Sequence, residues 1–134
     1  LLAPKLTATL FLSAYTVGMI SDQRRLLPSG LRGYQESMIA LAVGTFSTGI
    51  VMAWSLAFIV FLQALDDTVD RHTDAQTGAR NWCNCFGTVE VLLLGILALA
   101  TSLSLSLLLT LLALSVAAII ERITYLKSEK VIDI

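Results

Sequence analysis

The chain has 134 residues, 56% of them hydrophobic and only 14% charged, with a net charge of −1 and a mean hydropathy of +0.79. Soluble domains carry about 25% charged residues, so the composition points to one compact membrane unit with no room for a second domain. The near-neutral balance excludes the basic surface that nucleic-acid binding requires.

Taken in order, residues 1–20 read as a first membrane segment, with Leu6, Leu10, Phe11, Leu12, Val17 and Ile20 supplying apolar surface. Pro4 suits a first helical turn, and Lys5 can lay its stem along lipid while its ammonium reaches water. Ala14 and Gly18 offer a short contact face. The chain opens on Leu1, which leaves open both a removed presequence and an upstream start. Residues 21–36 form a polar connection carrying Asp22, Arg24, Arg25, Arg32 and Glu36, with Pro28, Ser29 and Gly30 as turn signals. Its arginines read as topology-setting charge.

Residues 37–65 lack any formal charge and read as a second span. Two lines of small residues run along it, one through Ala42, Thr45, Gly49, Ala53 and Ala57, the other through Ala40, Gly44 and Thr48. Small side chains let helices approach closely in lipid, so this span is expected in the middle of the bundle with Gly44, Thr48, Gly49 and Ala53 at contacts. Trp54 reads as packing bulk. Residues 66–84 form the second polar loop. A helical continuation would align Asp66, Asp70 and Asp74, but the run lacks the glycine-centred spacing of a calcium hand, and no metal is expected. Trp82 fits the interfacial belt. Cys83 and Cys85 form a Cys-x-Cys pair with three readings: disulfides to a partner, acylation, or plain thiols.

The dominant feature is residues 86–120, in which Glu90 is the one acidic or basic residue. As one helix it would be roughly 52 Å long, well beyond the roughly 30 Å of a hydrocarbon core, so it is expected to tilt or project past the lipid. Gly95, Ala98, Ser102, Ser106, Thr110, Ala113 and Ala117 recur every three or four residues and mark a long contact face. Glu90 has two readings. It is a candidate ion site, because an ionisable group at membrane depth is functional by default, and it is equally a carboxylate favoured by a helix amino terminus. The charged tail 121–134 is expected to carry the helix into water.

The expectation is therefore an all-α integral, multi-pass membrane protein with about three transmembrane helices, the last one long. In that topology the 21–36 loop and the tail share one side. They carry Arg24, Arg25, Arg32, Arg122, Lys127 and Lys130, against Lys5, Arg71 and Arg80 on the other. The positive-inside bias puts the richer side in the cytoplasm, matrix or stroma, with both cysteines facing away from it. No phosphate loop, metalloprotease motif or nucleophile–histidine pair appears, so a non-enzymatic role is expected. The first reading is an accessory or structural subunit of a larger membrane complex, with other membrane subunits and structural lipids as partners and no cofactor evident. The alternative is a homo-oligomeric channel or transport subunit with Glu90 near the pore mouth.

Overall fold

The computed structural model describes residues 2–132, with side chains placed for residues 3–128. Helix makes up 87% of the described residues, and no strand occurs among them. The helices are α1 (Leu2–Gly18), extended by a 3-10 turn at Met19–Asp22, then α2 (Gly33–Thr48), α3 (Ile50–Thr77), α4 (Trp82–Phe86), α5 (Thr88–Leu105) and α6 (Leu107–Ile132). Three of them, α3, α5 and α6, are long and apolar enough to cross a membrane. The protein is all-helical and membrane-embedded.

These three helices are not the three expected spans. Residues 37–65 do not form one helix; the chain reverses at Gly49, whose φ of 55° and ψ of −117° are open to glycine and strained for any other residue. The reversal is recorded in side chains. Met52 packs on Gly44, its Sδ only 2.5 Å from where a Cβ at position 44 would lie; in an unbroken helix these positions would stand about 12 Å apart along the axis. Thr9 touches both arms, meeting Thr48 Oγ1 at 3.3 Å while its carbonyl accepts from Ser55 Oγ at 3.4 Å. The expected polar loop at 66–84 is largely helix as well, because α3 runs on to Thr77 before Gly78 ends it with a left-handed φ of 74°.

The long 86–120 stretch is likewise broken, at Gly87 (φ 104°) and at Ser106 (φ −159°, ψ 97°). At the second break Ser106 N–H donates to the Ser102 carbonyl, and Ser106 Oγ accepts from Leu109 N, so one serine closes α5 and caps α6. α6 then turns back. Its first turn meets the start of α3, where Trp54 Nε1 donates to Thr110 Oγ1 at 2.9 Å. Eleven residues on, Glu121 borders the same cleft as Gln63, Asp66 and Asp70 of α3. The tail expected at 121–134 continues α6 as far as Ile132; Leu1, Asp133 and Ile134 lie outside the described residues, as do the side chains of Glu129 and Lys130.

These reversals give the bundle two unlike ends. The 19–36 segment and the 66–90 segment lie together, joined by an ion pair from Arg80 to Asp22 at 3.0 Å, and Glu121 lies at the same end. The expectation that the two polar loops face opposite sides is corrected by that contact, and Cys83 and Cys85 share the end that holds Arg24, Arg25 and Arg32. The other end carries the turns at Gly49 and Ser106, and Lys5 is the one ionisable side chain there among the described residues, beside Ser47, Thr48, Val51 and Leu109.

The interior mixes small hydroxyl residues with a few large apolar ones, Met52, Trp54, Phe58 and Val91, while much aliphatic surface faces outward. Thr9, Ser13, Ser55, Ser102 and Thr110 are fully buried, whereas Phe46 is 91% exposed and Leu108 70%. Lipid tails are as apolar as leucine, so large aliphatic groups gain nothing by turning inward, while small residues permit close approach. Most of the buried hydroxyls satisfy themselves on their own helices, as in Thr9 to the Lys5 carbonyl and Thr110 to that of Ser106.

Candidate functional site at the charged end and the α6 seam

The charged end is organised by one buried carboxylate. Asp67 lies on α3 one helical step after Gln63, and Gln63 Nε2 donates to its Oδ1 at 2.7 Å. Its Oδ2 accepts the backbone N–H of Trp82 at 2.6 Å, so a side chain of α3 holds the first residue of α4. Asn81, 1% exposed, completes the joint. Its Nδ2 donates to the Asp67 carbonyl and to Asp74 Oδ2, each at 2.8 Å, and its Oδ1 caps α4 by accepting from Cys83 N at 2.8 Å. The first two backbone N–H groups of this five-residue helix are thereby satisfied by side chains, one of them from α3.

Outward from this joint the rim is polar and open. Arg71 bonds to Thr88 Oγ1 at 3.2 Å and to the ring of His72 at 3.3 Å, and its carbonyl accepts from Asn84. Arg80 also donates to the Ser21 carbonyl, tying the α3–α4 connection to the end of α1. On the far flank, Tyr15 and Ser29 both donate to Glu36, which joins α1, the 26–32 turn and the start of α2.

The expected alignment of Asp66, Asp70 and Asp74 divides. Asp66 and Asp70 border a cleft of about 640 Å3 with Glu121, Gln63 and Ala14, whereas Asp74 is engaged by Asn81. Among the described residues no group of three or more histidine, cysteine or acidic side chains is placed to hold a metal. Cys83 and Cys85 are both free thiols, one buried and one exposed. Two positions apart on a helix they point in opposed directions; Cys83 Sγ lies 3.6 Å from Thr68 Oγ1. Glu90 is exposed in the first turn of α5, and its carboxylate folds back over Gly87, at the positive end of the helix dipole.

The small-residue positions fall into three sets. Gly95, Ala98 and Ser102 share the buried face of α5 with Val91, and Gly95 faces Ala64 of α3, whose Cβ would be 3.1 Å from a Cβ added at 95. Gly44 and Thr48 face α1 and α3, but Ala53 is exposed and Gly49 serves the turn. On α6, Thr110 is buried, while Ala113 and Ala117 are half-buried. On α1 the contact face within the bundle is Thr9, Ser13 and Thr16; Ala14 and Gly18 are exposed and lie off it. The step of four and then three from Thr9 to Thr16 is the signal that could have found it.

Two outcomes follow from this seam. Gly95→Leu is expected to force α5 off α3 and to lower the unfolding temperature in detergent by several degrees or abolish folding, whereas Gly18→Leu, with nothing within 4 Å, leaves it unchanged. Thr110→Val keeps the shape but leaves the buried indole N–H of Trp54 unpaired, a cost of about 1–3 kcal/mol. Its fingerprint is a shift of tryptophan fluorescence that Ser106→Ala does not reproduce.

The site therefore consists of a charged, hydrogen-bonded cap at one end and, at the other, the Trp54–Thr110 anchor on the first turn of α6. No protein-family model matches the chain, and neither a curated protein nor a solved structure is similar to it.

Proposed function

We propose that this protein is a non-enzymatic accessory subunit of a larger membrane assembly, and that α6 is the element it offers to its partners. The observation that carries this reading is how little of α6 its own bundle uses. Of the apolar stretch of α6, 6% is buried, against 33% for α3. Leu111, Leu112, Val116, Ile119 and Ile120 all stand exposed along it, and the Trp54–Thr110 bond anchors only its first turn. Ala113 and Ala117 share the half-buried side with Thr110, which leaves the aliphatic side as the surface open to a neighbour. The rigid Asp67–Asn81–Trp82 joint suits a structural role, since each of its polar groups is spent on holding helices.

The test is photo-crosslinking in the native membrane, with a photoreactive residue at Leu112 or Val116 and, as a comparison, at Leu93 on α5. The expected result is a discrete adduct with an unlike membrane protein from α6 and only lipid adducts from Leu93. Lipid adducts alone from α6 would overturn the reading, and adducts between identical copies would replace it with a homo-oligomer.

A further inference from the structure

We infer that the neutral end of the bundle ends inside the bilayer, so that acyl chains cover the turns at Gly49 and Ser106 while Lys5 reaches towards the far headgroups. The first argument is height. Residues 50–65 of α3, 91–105 of α5 and 107–120 of α6 contain no ionisable side chain, and each stretch begins or ends at one of the two turns. At about 1.5 Å per residue they rise roughly 24, 22 and 21 Å, and residues 37–48 of α2 only about 18 Å. A hydrocarbon core is about 30 Å thick. With the charged end held at one interface by its arginines and aspartates, all four helices stop short of the other.

The second argument is the chemistry of the tip. Loops that emerge into water carry charge and turn residues, but here Phe46, Ile50, Leu105, Leu107 and Leu108 stand exposed around the two reversals. In water that would be an uncovered apolar surface; in hydrocarbon it is at its lowest free energy. The third is backbone satisfaction. Lipid penalises open backbone polar groups, and each reversal keeps their number small by using a single non-helical residue. Gly49 N donates to the Thr45 carbonyl at 2.9 Å and its carbonyl accepts from Met52 N at 3.0 Å, while Ser106 N donates to the Ser102 carbonyl at 3.0 Å. The hydroxyls of Thr48 and Ser104 turn back onto the carbonyls of Gly44 and Ala100. Lys5 fits the same geometry, because a lysine stem can run along apolar surface and deliver its ammonium to an interface just beyond it.

The purified chain, reconstituted in phosphatidylcholine vesicles, tests this without any partner protein. A bimane fluorophore is placed on Phe46→Cys or Leu107→Cys in a Cys85→Ser background, with the Cys85→Ser chain alone as the blank. Both replaced side chains are exposed, so folding is not at stake. The expected result is quenching by phosphatidylcholine spin-labelled near the end of the acyl chain, several-fold stronger than quenching by aqueous iodide present on both sides. Strong iodide quenching would overturn the inference by showing that the turns emerge. Protection from both quenchers would overturn it as well, by showing that protein, a second copy of this chain, covers them.

Discussion

Asp67→Ala is expected to detach α4 from α3. The substitution leaves the Trp82 N–H and the Gln63 amide without their acceptor in a site that is 4% exposed, a cost of about 2–3 kcal/mol. The local reading is chemical. Cys83 is buried beside Thr68 in the native protein, so its thiol should react with a small maleimide many-fold faster in the variant than in the parent, on a background where Cys85 is serine. Asp67→Asn keeps one acceptor oxygen but sets its amide against a donor, and should fall between the two. An unchanged Cys83 rate in Asp67→Ala would mean that the joint is held by Asn81 alone.

The second large effect belongs to Gly49. A Cβ there meets no atom within 4 Å, so the penalty is conformational and not steric. Holding a non-glycine residue at this φ and ψ costs about 1–3 kcal/mol, and alanine in place of glycine favours a continuous helix by about another 1 kcal/mol. Both terms push towards the unbroken helix over 37–65 that composition alone suggests. Gly49→Ala should therefore open the α2–α3 reversal. A cysteine pair at Thr9 and Thr48, whose side chains meet in the parent, should form a disulfide readily there and poorly in Gly49→Ala. Gly18→Ala, the same chemical change in the middle of a relaxed helix end, should leave the yield as it was.

What the sequence makes legible is what lipid imposes along a helix. The apolar runs mark membrane helices, and the step from Gly95 through Ala98 to Ser102 follows the face that the structure buries. What it conceals is where those helices reverse. In water a turn announces itself by polar residues, because its open backbone must be solvated. Here the reversals sit among Thr, Phe, Ile and Leu, and a lone glycine such as Gly49 is ordinary within a membrane helix. Ser106 is hidden even better, as one of several serines at equal spacing. Since each reversal flips the direction of everything after it, the hidden turn at Gly49 is what brings Arg80 to Asp22, while the second, at Ser106, returns the start of the tail to the end that residues 21–36 share, as expected. Asp67 is concealed for the opposite reason. Its neighbours Asp66 and Asp70 form the more regular pattern, and only the position of Trp82 reveals which carboxylate faces inward.

The fold requires the two polar segments to share one side of the membrane. The direct measurement uses sealed, oriented vesicles and a membrane-impermeant maleimide, comparing native Cys85 with a cysteine introduced as Gln23→Cys in the Cys85→Ser background; both positions are exposed. The account predicts that both label from the same face and are both protected on the other. Labelling from opposite faces would contradict it, and would restore a single unbroken span between residues 37 and 65.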